Sequence, residues 1–248
     1  MMSADKETAC QKKVSVVMTS YNGARFISEQ IQSILPQLGE SDELIISDDC
    51  STDDTVALIR SFNDSRIRLF QNSVNVGLGR NIAQCMNRAN GELIFFCDQD
   101  DIWEPDKVEK CSSALMSYDL VIHNGIFMDK RGQQQNRTIF QYRYPVLNYW
   151  KNLIRNSCVG ACMALRRDLL KMLLPIPEDI PMHDWYIFLC ALRMKKRIKV
   201  VGDKLILYRR HGGNSSPTGN GKSPHSLPEM LSWRWKLLLK TLPYRAEK

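Results

Sequence analysis

No stretch of this 248-residue chain approaches the about 20 consecutive apolar residues that a membrane-spanning helix needs. The opening residues, 1–13, are polar and charged, which predicts no signal peptide. No Cys-x-x-Cys pair occurs, and Cys158 and Cys162 lack the second pair that would complete a zinc site. The eight cysteines are scattered, several inside apolar runs, so the expectation is reduced core thiols in a cytoplasmic protein. Neither G-x-G-x-x-G nor G-x-x-x-x-G-K-S/T is present, which leaves dinucleotide-binding and P-loop readings poorly supported. There is no internal repeat and no interleaved basic-aromatic sheet motif, so nucleic acid is not expected as a partner.

What remains is an ordinary globular composition, 44% hydrophobic and 25% charged. The length fits one large α/β domain or two small ones. A net charge of +7 implies an anionic partner, whether nucleotide, phospholipid surface or nucleic acid.

Strand and helix signals alternate through the first half. Apolar runs predict strands at Val14–Thr19, Glu43–Ser47, Arg66–Phe70, Leu93–Cys97 and Asp119–His123. Between them, helical spacing predicts helices at Ala24–Leu38, Thr55–Phe62 and Gly77–Ala89, with another opened by Pro105. Such alternation implies a doubly wound, mostly parallel sheet. The second half is less regular. Asp129–Arg137 has the character of a hairpin turn, and helices are expected at Val146–Arg155, Arg167–Leu173 and His183–Met194. Lys204–Tyr208 reads as a strand, and the Gly-, Ser-, Asn- and Pro-rich stretch 211–224 as a mobile loop.

The most informative stretch is Leu93-Ile94-Phe95-Phe96-Cys97 running into Asp98-Gln99-Asp100-Asp101. Open α/β sheets place their ligands at strand exits. Two aspartates in D-x-D spacing there could hold a divalent cation, and the cation a diphosphate. The competing interpretation is a polar turn. Thr19-Ser20-Tyr21-Asn22-Gly23 follows the first strand and could present backbone N–H groups to a nucleotide. Ser47-Asp48-Asp49-Cys50-Ser51-Thr52-Asp53-Asp54-Thr55 follows the second. Asp48 or Asp49 could accept hydrogen bonds from a ribose or base, while Thr52 and Asp53 suit helix capping.

T-S-Y-N-G, S-D-D-C-S-T-D-D-T, N-V-G-L-G-R-N and F-F-C-D-Q-D-D-I-W occur in that order, and together they resemble glycosyltransferase family 2. The resemblance is close over 14–103 and looser to about Pro217. It implies the inverting GT-A fold: a Rossmann-like, doubly wound, mostly parallel sheet with a small antiparallel extension. The domain would span 1–226, with a nucleotide-binding half at 14–103 and an acceptor half at 104–226. Thr19 and Tyr21 would line the base pocket, Asn22 would contact the nucleotide-sugar, and Asp48 or Asp49 would read base or ribose. Arg80 matches a basic residue near the nucleotide. Asp100 would contact Mn2+ or Mg2+, and Asp98 the ribose or the metal. His211 occupies the place of a histidine that reaches metal or diphosphate in relatives, and Arg209 and Arg210 beside it could close on the diphosphate or merely add to the basic surface. Inverting transfer also needs a carboxylate to take the acceptor hydroxyl's proton. Asp184 matches the family's acidic residue before an aromatic, the alternative being an N-cap for a helix starting at Trp185.

The D-Q-D-D-I-W and R-H-G-G-N spacings most resemble rhamnosyltransferase-like members that build surface polysaccharides. The implied donor is dTDP-rhamnose or a UDP-sugar, and the acceptor a glycan or lipid-linked glycan. The residues 227–248 interleave Trp233, Trp235 and three leucines with Arg and Lys, which fits either peripheral contact with the inner face of a membrane or a helix docked on the core. A non-catalytic nucleotide-sugar or membrane-surface binding module of the same fold is the alternative function.

Overall fold

The computed structural model describes residues 12–212 and 225–245. In chain order the first elements are β1 (Val14–Ser20), α1 (Ile27–Ile34), β2 (Glu43–Asp48), α2 (Thr55–Ser61), β3 (Ile67–Gln71), α3 (Leu78–Asn87) and β4 (Leu93–Cys97). They are followed by β5 (Ile102–Trp103), α4 (Lys107–Leu115), β6 (Leu120–Asp129), β7 (Gln134–Thr138), α5 (Ile139–Tyr142) and α6 (Tyr149–Ile154). The last are β8 (Met163–Arg166), α7 (Arg167–Leu173), α8 (His183–Arg193), β9 (Ile198–Arg210) and α9 (Leu227–Thr241).

Every residue of β1, β2 and β4 is buried, the signature of strands covered on both faces. Their side chains alternate between two apolar layers. Val16, Met18, Leu44, Ile46 and Phe95 pack with α1 and α4 on one face. Val17, Ile45, Ile94 and Phe96 pack with α3, α7 and α8 on the other. The sheet runs β3-β2-β1-β4-β8-β6-β9-β5, with β7 pairing to β6. β1 to β4 are mutually parallel. β8 then enters antiparallel to both β4 and β6, β6 and β9 are parallel, and β5 is antiparallel to β9. This is the mixed α/β, mostly parallel sheet with an antiparallel extension that the sequence implied.

Several expected boundaries move for physical reasons. The first helix begins at Ile27 because residues 24–26 form a turn, in which Phe26 and Ile27 both donate to the Gly23 carbonyl. It ends early because Pro36 has no N–H to continue it, and a single 3-10 turn, Leu35–Gln37, follows. Pro105 stands in the turn before α4 and not at its first position. β6 outruns the apolar run that predicted it, passing Gly125 through a register shift. At Gly125 a Cβ would lie 2.5 Å from the Ile206 side chain, so the glycine marks strand contact and not a strand end. β9 likewise extends through the polar Gly202-Asp203-Lys204 because β6 supplies a partner along its length. Of the expected mobile stretch 211–224, all but the first two residues lie outside the described residues.

Gly91 is packed where β4 approaches β1: a Cβ there would sit 2.6 Å from the Ser15 backbone nitrogen and 2.7 Å from the Val14 carbonyl carbon. Gly91→Ala should therefore cost about 1–3 kcal/mol in chemical denaturation. Gly202→Ala, whose Cβ meets nothing within 4 Å, should stay within about 0.5 kcal/mol of wild type. Equal midpoints for the two variants would contradict this packing.

Candidate active site

The loops leaving β1, β2 and β4 converge with residues 158–160 and 176–184 around a cleft of about 350 Å³. Its walls include Thr19, Tyr21, Asp49, Asp98, Asp100 and Asp184. The loops at these strand exits are held together by hydrogen bonds. Gln99 clamps the loop after β1: its Oε1 accepts from the Tyr21 N–H at 2.9 Å, and its Nε2 donates to the Tyr21 carbonyl at 3.1 Å. Gly23 is required beside this clamp, since a Cβ there would fall 2.1 Å from Gln99 Oε1. Asp49 folds the 72–77 segment onto the sheet, accepting from Asn72 Nδ2, the Val76 N–H and the Gly77 N–H at 2.8–2.9 Å.

Behind the cleft, the D-Q-D-D turn gathers negative charge. Burial, then the Asp100 and Asp184 carboxylates, push Asp98 up to about 7. Burial, then Asp100 and Asp98, push Asp101 well above the ordinary carboxylate range. Three cationic or potentially cationic groups offset this. Arg209, 2% exposed, donates its Nε to the Asp100 carbonyl at 2.7 Å and its backbone N–H to Asp101 Oδ1 at 2.9 Å. Its guanidinium pairs with Glu29 and lies 4.7 Å from the Phe26 ring centre. Lys107, fully buried, donates to the Ala161 carbonyl and sits 4.0 Å over the Trp103 ring. Burial lowers the Lys107 pKa, while Asp101 and the surrounding thiols act in the opposite direction. His211 brings Nε2 to 2.7 Å from Asp100 Oδ2, its ring 4.9 Å from that of Phe26.

On the opposite wall, α8 starts at His183 with Met182 as N-cap, so Asp184 lies inside the first helical turn. The N-cap position is thus Met182 and not Asp184, though the Asp184 carboxylate still serves a backbone N–H of the first turn. Asp184 Oδ1 accepts from the Trp185 N–H at 2.7 Å. A Cβ on Gly160 would come within 3.3 Å of the Asp184 Cβ and 3.4 Å of His183 Nε2, so Gly160 leaves this wall open. Burial lowers the His183 pKa, while the neighbouring Asp184 acts in the opposite direction.

The structure thus gathers Thr19, Tyr21, Asp49, Asp98, Asp100 and Asp184 on one cleft and joins His211 to Asp100. Three expected nucleotide contacts do not line it. Asp48 is fully buried and turned into its own loop, accepting from Ser20 Oγ, Ser51 Oγ and the Ser51 N–H. Asn22 takes positive φ and accepts from the Thr52 N–H. Arg80 pairs with Glu178 at the exposed rim. Arg209 corrects a further expectation: it is a buried tether for the acidic turn and does not reach into the cleft. Trp103 is likewise core, 3% exposed. Gln99 and Lys107 escaped the sequence reading, because only the middle position of D-Q-D and a helix-start lysine mark them.

The profile described as Glycosyl transferase family 2 matches residues 15–174, more than half of the chain. The chain belongs to glycosyl transferase family 2. Among curated relatives of this family 2 protein, the Escherichia coli UDP-Glc:alpha-D-GlcNAc-diphosphoundecaprenol beta-1,3-glucosyltransferase WfgD is 31% identical over 73% of the chain and 70% of WfgD. The Shigella flexneri dTDP-rhamnosyl transferase RfbG is 27% identical over 79% of the chain and 72% of RfbG. Solved structures share the GT-A fold. Staphylococcus aureus TarS in complex with UDP-GlcNAc aligns with a TM-score of 0.71 at 20% identity, over 95% of this chain and 68% of TarS. The Pyrobaculum calidifontis mannosyltransferase PcManGT, in complex with GDP-Man and Mn2+, aligns with a TM-score of 0.62 at 16% identity, over 96% and 77%.

Among the described residues, no three His, Cys, Asp or Glu side chains converge closely enough to hold a metal by themselves. The donor set nevertheless suits a divalent cation. Asp98 and Asp100 supply carboxylate oxygens, the paired His211 an imidazole, and substrate phosphates commonly complete such shells.

Because folding favours protonated Asp98, its folded pKa of about 7 lies above the unfolded value of about 3.9. The stability this contributes is fully present below the unfolded pKa and lost as pH rises through about 7. In chelator-treated protein the thermal midpoint should fall between about pH 5 and pH 8, and Asp98→Asn should flatten that fall. A wild-type midpoint constant across the range would overturn this account.

Proposed function

We propose that this family 2 glycosyltransferase is metal-dependent and inverting. It moves a sugar from a nucleotide-sugar donor, dTDP-rhamnose or a UDP-sugar, to a hydroxyl of a glycan or lipid-linked acceptor in surface polysaccharide synthesis. The observation that carries the reading is the gathering of Asp98, Asp100 and Asp184 on one cleft. In this reading Thr19 and Tyr21 flank the base, and Asp49 faces the nucleoside while holding the 72–77 loop. Seven described cysteines are free thiols, six of them buried, which supports an assignment to the reducing cytoplasm.

Asp184 takes the acceptor hydroxyl's proton as its oxygen attacks the anomeric carbon. The bond from that carbon to the diphosphate oxygen breaks as the new glycosidic bond forms on the opposite face, giving inversion. Charge builds on an oxocarbenium-like sugar and on the departing diphosphate, as in other glycosyl transfers. Asp100 and His211, with Asp98, would hold Mn2+ or Mg2+. That ion would supply Lewis-acid neutralisation of the leaving group. Arg209 and Lys107 keep the acidic turn in place, and Gly160 leaves room for the acceptor beside Asp184.

The test is turnover of a panel of UDP-, dTDP- and GDP-sugars with and without Mn2+, using lipid-linked acceptors. One donor should turn over in a metal-dependent manner. Asp184→Asn should lose about 10²–10⁴-fold in turnover while keeping donor affinity, and Asp100→Ala should lose metal-dependent donor binding. Tight donor binding without turnover would favour the non-catalytic module, and binding of no donor would overturn the site itself.

A further inference from the structure

α9 docks by one face. Leu237 and Thr241 are buried, and Trp233, Arg234 and Leu238 are half-buried. Leu227, Leu231, Trp235 and Leu239, spaced by four, form a separate exposed stripe that Leu242 extends. Leu231 is 66% exposed and Trp235 62%. A second exposed apolar set lies on the segment leading into and through α6. Leu147, Trp150 and Ile154 follow helical i, i+3, i+7 spacing, with Tyr144 and Val146 just before them. Trp150 is 60% exposed and Ile154 67%.

The two sets belong to one body. Arg234 Nε donates to the Ile154 carbonyl at 2.8 Å, and Tyr149 Oη lies 2.6 Å from Thr241 Oγ1. Around the apolar residues stand exposed Lys151, Arg155, Lys236 and Lys240. Acidic groups nearby are Glu229, engaged in the N-terminal capping box of α9, and Asp179, paired with Lys240. Two exposed tryptophans and several aliphatics, bordered by cations, match the interfacial pattern: apolar groups enter the acyl boundary while Lys and Arg meet anionic headgroups.

This face also adjoins the catalytic side of the cleft. The segment 144–157 leaves and re-enters at Arg143 and Cys158, both cleft residues, which are themselves joined by an Arg143 Nη1 contact to the Cys158 carbonyl. Trp185, next after Asp184, donates its indole N–H to the Asn152 carbonyl of α6 at 2.8 Å, and Arg234 lies 5.8 Å from the Trp185 ring centre.

We propose that the exposed face of α6 and α9, with residues 144–147, docks on an anionic lipid bilayer and sets the acceptor side of the cleft against the headgroup plane. The docking stands on this surface alone. That it presents lipid-linked acceptor hydroxyls to Asp184 rests on the transferase reading above.

The test is co-sedimentation of the full chain with vesicles of phosphatidylglycerol mixed with phosphatidylcholine, against phosphatidylcholine alone. Donor hydrolysis in solution is measured on the same samples. Wild type should bind the anionic vesicles, and binding should weaken at high salt. Trp150→Ser and Leu231→Ser/Trp235→Ser should each reduce binding by about tenfold or more while leaving donor hydrolysis unchanged. Lys151→Gln/Lys236→Gln should reduce it specifically for anionic vesicles. Absence of vesicle binding would overturn the proposal, as would binding indifferent to all these substitutions. So would a concentration-dependent dimer, seen by sedimentation velocity, that the same substitutions dissolve, since the face would then belong to a second copy. Vesicle binding with no donor turnover would keep the docking and remove only the transferase reading.

Discussion

Like charge held close together and out of water is the constraint around which this protein is organised. Asp98, Asp100, Asp101 and Asp184 share one region, and desolvation with mutual repulsion pushes Asp98 and Asp101 upward. Such a cluster persists only where compensation is built in, because a buried charge left unpaired is strongly destabilising. The fold supplies it from close by and from far along the chain: Lys107 from the start of α4, Arg209 from the last strand and His211 from just beyond β9. Offsetting the repulsion with fixed cations at the back of the turn leaves the front carboxylates turned to the cleft.

The two walls of the cleft solve different problems. At the strand exits, Gln99, Asp48 and Asp49 spend their hydrogen-bonding capacity on neighbouring loops, so these loops form a pre-set surface that needs little ordering when a ligand arrives. On the other side, Gly160 and the start of α8 provide space and one carboxylate. A closely hydrogen-bonded wall and a roomier one thus meet at a single cleft.

The central architecture was legible because its signals are local. β1, β2 and β4 are continuous apolar runs, α3 carries a clear periodicity, and each strand exit announces itself with polar residues. Asp98, Asp100 and Asp184 could be read for the same reason: each sits at an element boundary with its motif beside it. What could not be read depends on who meets whom across the chain. Asp48 and Asp49 are adjacent and chemically identical, and only the pleat, which sends successive side chains to opposite sides, decides that one caps its own loop while the other faces the cleft. Arg209 among glycines and arginines looks like a phosphate ligand until its burial is known. Strands β6 and β9 outran their apolar runs because partner strands, not composition, extend them.

The tether from Arg209 to the Asp100 carbonyl spans 109 positions of sequence. During synthesis the parallel strands β1 to β4 can pair once the first hundred or so residues have emerged, since their contacts are comparatively local. Lys107 follows the acidic turn within a few residues, but the Arg209 tether on the turn's backbone arrives only after nearly half the polypeptide more has been made. A nascent chain that stops short of β9 therefore carries the parallel sheet and Lys107 but lacks the tether on the Asp100 carbonyl. The last strand to be made is thus the one that pins the acidic turn in place.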